Sequence, residues 1–389
     1  MIGSSWGTFD AESKLFSKVP VHIDKGCLDT MLFEAARQGV DDVILRAETK
    51  IYAKFDGYYY PMTGRSLREE EVKRILTIIT GLDSSFIKVQ SGSPVDNMAY
   101  VSAQRQESAV NHIRWRINAT ACLGLDGASD TVDITMRKIP SQPIALEKIG
   151  LPHYLCLPDG GLFPSTGLVL ISGETGSGKT NTLASIIAKI GAKEPSLRIL
   201  SYEQPIEFDW RSFPGMKASV SQTSIGEGSM IRSWDDAVPN ALRRNPDVIV
   251  VGEVRTRTEM KNLVTAARTG HSVYSTVHAD CVASTVNRLI NTFPADEQEN
   301  FVEGLLSSLK LVIHQRLVKS KGGGRVLIVE YLVFTKSIRQ ALIGVAIKDI
   351  PNLLDGLVET EGLSFVADIK SKRALIDARE YESLLNQEK

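Results

Sequence analysis

Two kinds of hydrophobic pattern divide this chain near residue 140. Before that point the pattern is short and alternating. Val40 to Ala47 and Lys50 to Phe55 read as strands, and Asp56-Gly57 offers a tight hairpin turn into Tyr58-Tyr59-Tyr60. From His112 to Asn118 the alternation places Ile113, Trp115 and Ile117 on one strand face and Arg114, Arg116 and Asn118 on the other. Val72, Ile75, Leu76 and Ile79 recur at helical spacing before Gly81, and Ser66-x-x-Glu69 ahead of them reads as a capping box. These elements predict a small α+β domain over residues 1–138.

Ile139-Pro140-Ser141-Gln142-Pro143-Ile144 carries two prolines without strong periodicity, which marks a linker over 139–152. Beyond it the pattern changes to continuous apolar runs at 168–172, 198–203, 248–252 and 271–277, separated by helical stretches. Strands buried on both faces read this way, so residues 153–348 predict an α/β domain with a parallel sheet between helices. The tail, 349–389, has helical spacing from Phe365 to Leu385 and no nucleotide chemistry.

The first of those runs leads into chemistry. Gly173-Glu174-Thr175-Gly176-Ser177-Gly178-Lys179-Thr180 fits the phosphate-binding template G-x-x-x-x-G-K-[ST] at every fixed position. Its glycines let backbone N–H groups close around a polyphosphate, Lys179 can reach the β/γ-phosphates, and the Thr180 hydroxyl can ligate Mg²⁺. Leu168-Val169-Leu170-Ile171 supplies a strand before the loop. Thr182 to Ile190 reads as a helix ended by Gly191 after it. Strand, loop and helix are the context in which a phosphate sits on a helix N-terminus. ATP and Mg²⁺ are the expected ligands.

Composition narrows the alternatives. A chain of 389 residues exceeds the usual size of one core, and its formal net charge of −1 supplies no general basic surface for nucleic acid. No segment approaches the roughly 18 consecutive apolar residues of a spanning helix, and the polar stretch from Met1 to Lys18 lacks the apolar block of a signal peptide. Cys27, Cys122, Cys156 and Cys281 are far apart, as expected of reduced thiols in a cytosolic protein rather than of a zinc site.

Three further signals surround the loop. Asp247-Val248-Ile249-Val250-Val251-Gly252-Glu253 is an apolar strand with an acid just past its end, where open α/β sheets bind ligands. Many P-loop enzymes hold Mg²⁺ with an Asp at such a strand end; here that position is Gly252 and the acid follows it. Ser201-Tyr202-Glu203-Gln204-Pro205-Ile206-Glu207 places two more acids after a strand, where they can order water or act as general base, though a surface turn has the same appearance. His271 and His278 bracket a strand-like run. Seven residues apart, they would lie on opposite faces of a strand, which argues against one metal site.

At these residues the chain resembles the type II/IV secretion ATPases, the PilT/GspE-like superfamily. Glu203-Gln204-Pro205-Ile206-Glu207, Val251-Gly252-Glu253-Val254-Arg255 and Ser275-Thr276-Val277-His278 are similar to that family's Asp box, Walker B and His box. Ala241 to Asp247, Thr269-Gly270-His271 and Asn287 to Pro294 also match, as do Arg114-Trp115-Arg116-Ile117-Asn118 and Met136-Arg137-Lys138-Ile139-Pro140 in the first domain. Ser275 to Asp280, Ala266-Ala267-Arg268 and Glu330 to Phe334 resemble most the DotB/TraJ branch of type IVB secretion and conjugative transfer. Two departures stand out. Gln204 replaces the acid that names the Asp box, and the four-cysteine zinc insert of some relatives is missing.

The resemblance implies a RecA-like P-loop ATPase domain with a smaller PAS-like N-terminal domain, assembled as a hexameric ring. It implies Lys179 and Thr180 on phosphate and metal, Glu253 in Walker B with the metal, Glu203 as candidate base, Glu207 as second acid and His278 at the γ-phosphate. Arg114, Arg116 and Arg137 would reach the nucleotide from the N-terminal domain as arginine fingers do; without the resemblance, Arg114 and Arg116 read as a solvated strand face. The implied function is a cytoplasmic motor, recruited peripherally to the inner membrane, that powers a type IVB secretion or conjugative DNA-transfer machine. Its expected partners are copies of itself, the membrane-embedded complex and a second ATPase of that machine, without direct nucleic-acid binding. A PilT-like pilus-retraction motor shares the same chemistry. A RecA-like nucleic-acid translocase and a non-catalytic nucleotide-gated scaffold are the rivals from other classes; the neutral charge opposes the first, and intact Lys179, Thr180 and Glu253 oppose the second.

Overall fold

The computed structural model describes residues 6, 9–10, 15–20, 22–55, 58–106, 109–127, 129–226, 231 and 233–387, so the expected Asp56-Gly57 turn lies outside the described residues. The chain divides into two compact units, Met1–Ser141 and Gln142–Lys389.

The first unit begins with two short antiparallel strands, β1 (Phe9–Asp10) and β2 (Leu15–Phe16), and a helix, α1 (Lys25–Arg37). Six further strands follow: β3 (Asp42–Arg46), β4 (Tyr52–Phe55), β5 (Tyr58–Pro61), β6 (Val95–Gln106), β7 (Ala109–Leu123) and β8 (Asp130–Ile139). They form one antiparallel sheet in the order β5-β4-β3-β8-β7-β6. Helices α2 (Glu69–Thr80) and α3 (Ser85–Gln90) lie between β5 and β6 in sequence. The alternation read along His112–Asn118 has its expected consequence. Trp115 and Ile117 are buried in a core shared with Val72, Ile75, Leu76 and Ile79 of α2 and Leu28, Met31 and Leu32 of α1.

The expected capping box of Ser66 and Glu69 does not form. The helix starts at Glu69 with Arg68 as its N-cap, and the buried carboxylate of Glu71 accepts the Arg68 N–H at 2.9 Å. Both Glu71 oxygens also accept from Arg65, at 2.7 and 2.8 Å. Burial alone would raise the Glu71 pKa, but the hydrogen bonds from Arg65 and Arg68 outweigh it and pull the group down to about 2.

The second unit is a seven-stranded sheet made of β9 (Gly167–Ser172), β10 (Arg198–Glu203), β11 (Ser219–Ser224), β12 (Val248–Val251), β13 (Ser272–Val277), β14 (Leu309–Lys319) and β15 (Arg325–Val333). The order is β11-β10-β12-β13-β9-β14-β15, parallel throughout except for the edge strand β15. Its helices are α4 (Lys179–Lys193), α5 (Trp234–Leu242), α6 (Arg257–Arg268), α7 (Val282–Asn291), α8 (Ala295–Ser308), α9 (Lys336–Leu342), α10 (Ile350–Glu361), α11 (Phe365–Ser371) and α12 (Ala378–Gln387).

The unbroken apolar runs now have their cause. Leu168 and Leu170 of β9 feed one core with Leu263, Val286 and Leu305, while Val169 and Ile171 feed another with Leu183, Ile186 and Ile187 of α4. Successive residues serve opposite faces, so neither face can be polar. One expectation needs correction, and one strand was missed. Gly191 does not end its helix; α4 continues to Lys193, and a Cβ at Gly191 would fall 2.2 Å from the Met216 sulfur, so this glycine is a packing position. Strand β11 escaped notice because its sequence, SVSQTS, has only one apolar residue.

Candidate functional site

The carboxyl ends of four neighbouring parallel strands bring the candidate residues together. In the order β10-β12-β13-β9, those ends lead into Glu203, Glu253, His278 and the Gly173–Thr180 loop. The register fixes this arrangement: Tyr202 pairs with Val251, Val251 with Ser275, and Val277 with Ser172. Strand ends on one edge of a parallel sheet are where such folds place ligands.

The loop is shaped by backbone freedom. Gly176 and Gly178 have φ of 81° and 88°, the left-handed region that favours glycine. Lys179 opens α4 and is buried; its Nζ donates to the carbonyls of Gly173 and Glu174 at 2.6 and 2.8 Å. Burial pushes its ammonium below the ordinary lysine value, against the attraction of Glu253 and Glu174. Thr180, next on the helix, is half-buried.

Glu203 is 6% exposed and ends β10. Its Oε1 accepts from Ser201 Oγ at 2.5 Å and from Gln222 Nε2 at 2.9 Å. Gly252 sits directly beside it: a Cβ there would meet Glu203 Cα at 3.5 Å, and the Gly252 N–H donates to the Tyr202 carbonyl at 2.8 Å. A side chain at this strand end, where other P-loop enzymes carry an acid, would make only ordinary van der Waals contact with Glu203. Glu253 is half-buried, with one oxygen 3.2 Å from His278 Nε2 and the other 2.6 Å from Arg255 Nη2.

Burial first, and then the Lys179 ammonium, hold His278 below the usual histidine range despite Glu253. At neutral pH the ring therefore meets the Glu253 carboxylate uncharged. Thr276 Oγ1 donates to the Gly252 carbonyl at 2.6 Å, tying the strand of His278 to the turn of Glu253. His271 and His278 do not share strand β13; they flank it at opposite ends, and His271 Nδ1 lies 3.1 Å from the Ala266 carbonyl. Glu207 lies in the turn after β10, half-buried, and Gln204 is exposed with its Oε1 3.4 Å from Trp234 Nε1.

The three arginines belong to the first unit. Arg116 on β7 is directly opposite Arg137 on β8, and Arg114 lies two residues along on the same face. Arg137 makes a two-point contact with Asp42, Nε to Oδ1 at 2.7 Å and Nη2 to Oδ2 at 3.2 Å. Burial, then the Arg137 charge, depress the Arg116 guanidinium below its ordinary value. Both Arg114 and Arg116 are half-buried, so the solvated-face reading understates how enclosed they are.

Three functional neighbours escaped the sequence reading. Ser201 was visible in principle, two residues before Glu203 on the same strand face. Gln222 on β11, beside β10, and Gln315 on β14, whose Nε2 donates to the Ser177 carbonyl at 2.6 Å, had no local signal, because each reaches its partner from another strand. Among the described residues no group of three or more His, Cys, Asp or Glu forms a metal cluster. No helix of the described residues is long and apolar enough to cross a membrane.

The family model described as Type II/IV secretion system protein matches residues 27–347. Over 211 residues the chain is 36% identical to the Type IV pilus retractation ATPase PilT of Pseudomonas aeruginosa, covering 53% of this chain and 57% of that protein. The chain thus spans little more than half the length of the curated relatives it matches. Among solved structures, the ATPase DotB of Legionella pneumophila is similar at a TM-score of 0.85 and 32% identity, over 96% of this chain and 99% of that one. The pilus retraction motor PilT with bound ADP is similar at a TM-score of 0.74 and 28% identity, over 92% of this chain and 96% of that one.

Proposed function

This chain belongs to the Type II/IV secretion system protein family, and from that premise we propose that it hydrolyses ATP and couples the cycle to macromolecular transport by a membrane machine. The observation that carries the reading is the row of Glu203, Glu253, His278 and Lys179 along one edge of a parallel sheet. Each has a distinct task there. Lys179 neutralises phosphate charge, and the loop N–H groups with the N-terminus of α4 cradle it. Glu203, held by Ser201 and Gln222, is aimed to take a proton from the attacking water. His278, beside Glu253, senses the γ-phosphate, and Glu207 is the second acid of its box.

Mg²⁺ takes oxygen donors and keeps much of its water, so one or two protein oxygens beside the phosphates suffice. The Thr180 hydroxyl and the Glu253 carboxylate fit that donor set. When bound, the ion neutralises the charge that develops on the phosphate oxygens. Arg114, Arg116 and Arg137 supply further positive charge from a neighbouring copy in a ring.

The machine is a type IVB secretion or conjugative-transfer system, to which the protein attaches from the cytoplasm through a partner. The length-wide similarity to DotB supports this branch. The match to PilT keeps a pilus-retraction motor as the second reading. Affinity capture with Glu253→Gln, loaded with ATP in cells, should recover membrane components of a secretion or conjugation complex. Recovery of pilus components alone would decide for the second reading.

A further inference from the structure

Gln315 stands one residue beyond the last pair of β9 with β14, Ser172 with His314, and so lies under the phosphate loop. It is fully buried, and its Nε2 donates to the Ser177 carbonyl at 2.6 Å, across 138 residues of chain. Only the amide nitrogen can face a carbonyl oxygen, so the orientation of this side chain is fixed. Both terminal fixed glycines of the loop press on the same residue. A Cβ at Gly173 would lie 2.3 Å from the Gln315 carbonyl, and one at Gly178 would lie 3.3 Å from its Nε2.

We propose that Gln315 is a positioning residue that locks the Ser177–Gly178 peptide in its phosphate-binding orientation. The inference rests on the nucleotide site described above and adds a residue to it. In a trans peptide the C=O and N–H point in opposite directions. Holding the Ser177 oxygen outward on Gln315 therefore turns the Gly178 N–H toward the inside of the loop. The opposite orientation would aim a carbonyl oxygen at a phosphate. Gly178, at φ 88°, has a glycine's freedom on both sides of zero and so does not itself forbid that flip.

Packing alone is a poor account of a glutamine here. Its Oε1 is buried without a hydrogen-bond partner, and so is the neighbouring Ser177 Oγ. A buried acceptor left unpaired costs stability that an apolar side chain of similar size would avoid. The donor end is what the position retains.

The test compares parent protein, Lys179→Ala, Gln315→Met, Gln315→Asn and Leu317→Ala. Leu317 also touches the Gly178 position, with Cδ1 at 3.3 Å, but makes no polar contact with the loop. ADP affinity by calorimetry and melting temperature without nucleotide are read for each. We expect Gln315→Met to weaken ADP binding at least tenfold with the melting temperature kept or raised. Leu317→Ala should melt earlier and hold ADP within about threefold of the parent. Gln315→Asn, one methylene short of Ser177, should follow Gln315→Met and decides the matter if the methionine variant fails to fold. ADP affinity within twofold of the parent in the Gln315 variants, beside a Lys179→Ala that loses it, would overturn the lock and leave the site standing. Equal losses in Leu317→Ala and Gln315→Met would reduce Gln315 to packing. Undiminished ADP binding by Lys179→Ala would overturn both.

Discussion

The two sheets of this molecule offer charged chemistry in different ways. In the second unit both faces are covered, and Glu203, Glu253, His278 and Lys179 gather at and just past the strand ends. In the first unit one face is buried, and the other carries a row across the strands: Lys54, Asp42, Arg137 and Arg116 are paired in register. A parallel sheet between helices thus concentrates chemistry on an edge, and an antiparallel sheet with one covered face spreads it over a surface. The edge supplies the carboxylates and the nucleotide loop. On the proposed function, the surface supplies cations for a phosphate brought to them.

The sharpest way to break this division of labour is Lys179→Ala. It should cut turnover at least about a hundredfold, roughly 2.7 kcal/mol of barrier, through lost phosphate binding. Normal nucleotide affinity and turnover would mean that the edge is not the site. A smaller effect tests the surface. Lys179→Ala and Arg116→Ala, each inactive alone, should regain part of the parent's turnover when mixed, if the arginine of one copy serves the loop of another. A mixture that stays inactive at concentrations where sizing shows an oligomer would confine each arginine to its own chain.

Smaller still is the change at Gln204. With Glu203 and Glu207 supplying the acids, Gln204→Asp should shift turnover less than about a hundredfold. Steady-state phosphate release would reveal a larger loss, and with it a specific role for the amide.

Much of the edge could be read in the sequence because its motifs are local. The loop, the acid after β12 and the histidine after β13 each follow an apolar run within a few residues. The parallel strands β9, β10, β12 and β13 were legible for the same reason. What the pattern hid is non-local or polar. Gln222 and Gln315 reach the site across strands that no spacing connects to it, and β11 has too few apolar residues to signal a strand. The surface was half legible: alternation placed Arg114 and Arg116 on one face, but Asp42, which holds Arg137, comes from 95 residues away. The expected capping box failed because the helix starts at Glu69, so that Glu71, which also holds Arg65, is the acid that accepts the N–H of the N-cap Arg68.

The weakest test separates the two units by acid. Burial first, then Arg316, push His314 in the second unit down to about 4. Its folded pKa lies below the unfolded value near 6.5, so the unfolded chain binds the extra proton. The stability from keeping this ring neutral is complete above pH 6.5 and declines as pH falls toward 4. Glu71 in the first unit, near 2 when folded, contributes stability that is complete above about 4.5 and lost only as pH falls toward 2. Unfolding followed by probes in each unit should therefore show the second unit weakening first. His314→Gln should flatten that slope between pH 6.5 and 4, and an unchanged slope would remove His314 as its cause.

The central claim is that the edge both holds ATP and hydrolyses it, with separate groups for each task. ATP affinity and phosphate release, measured separately on the parent, Glu253→Gln and Glu203→Gln, test it most directly. The parent should bind and turn over in the presence of Mg²⁺. Both variants should hold ATP within a few-fold of the parent while phosphate release falls by about a hundredfold or more. A parent that binds ATP without releasing phosphate, or variants that turn over at the parent's rate, would contradict it.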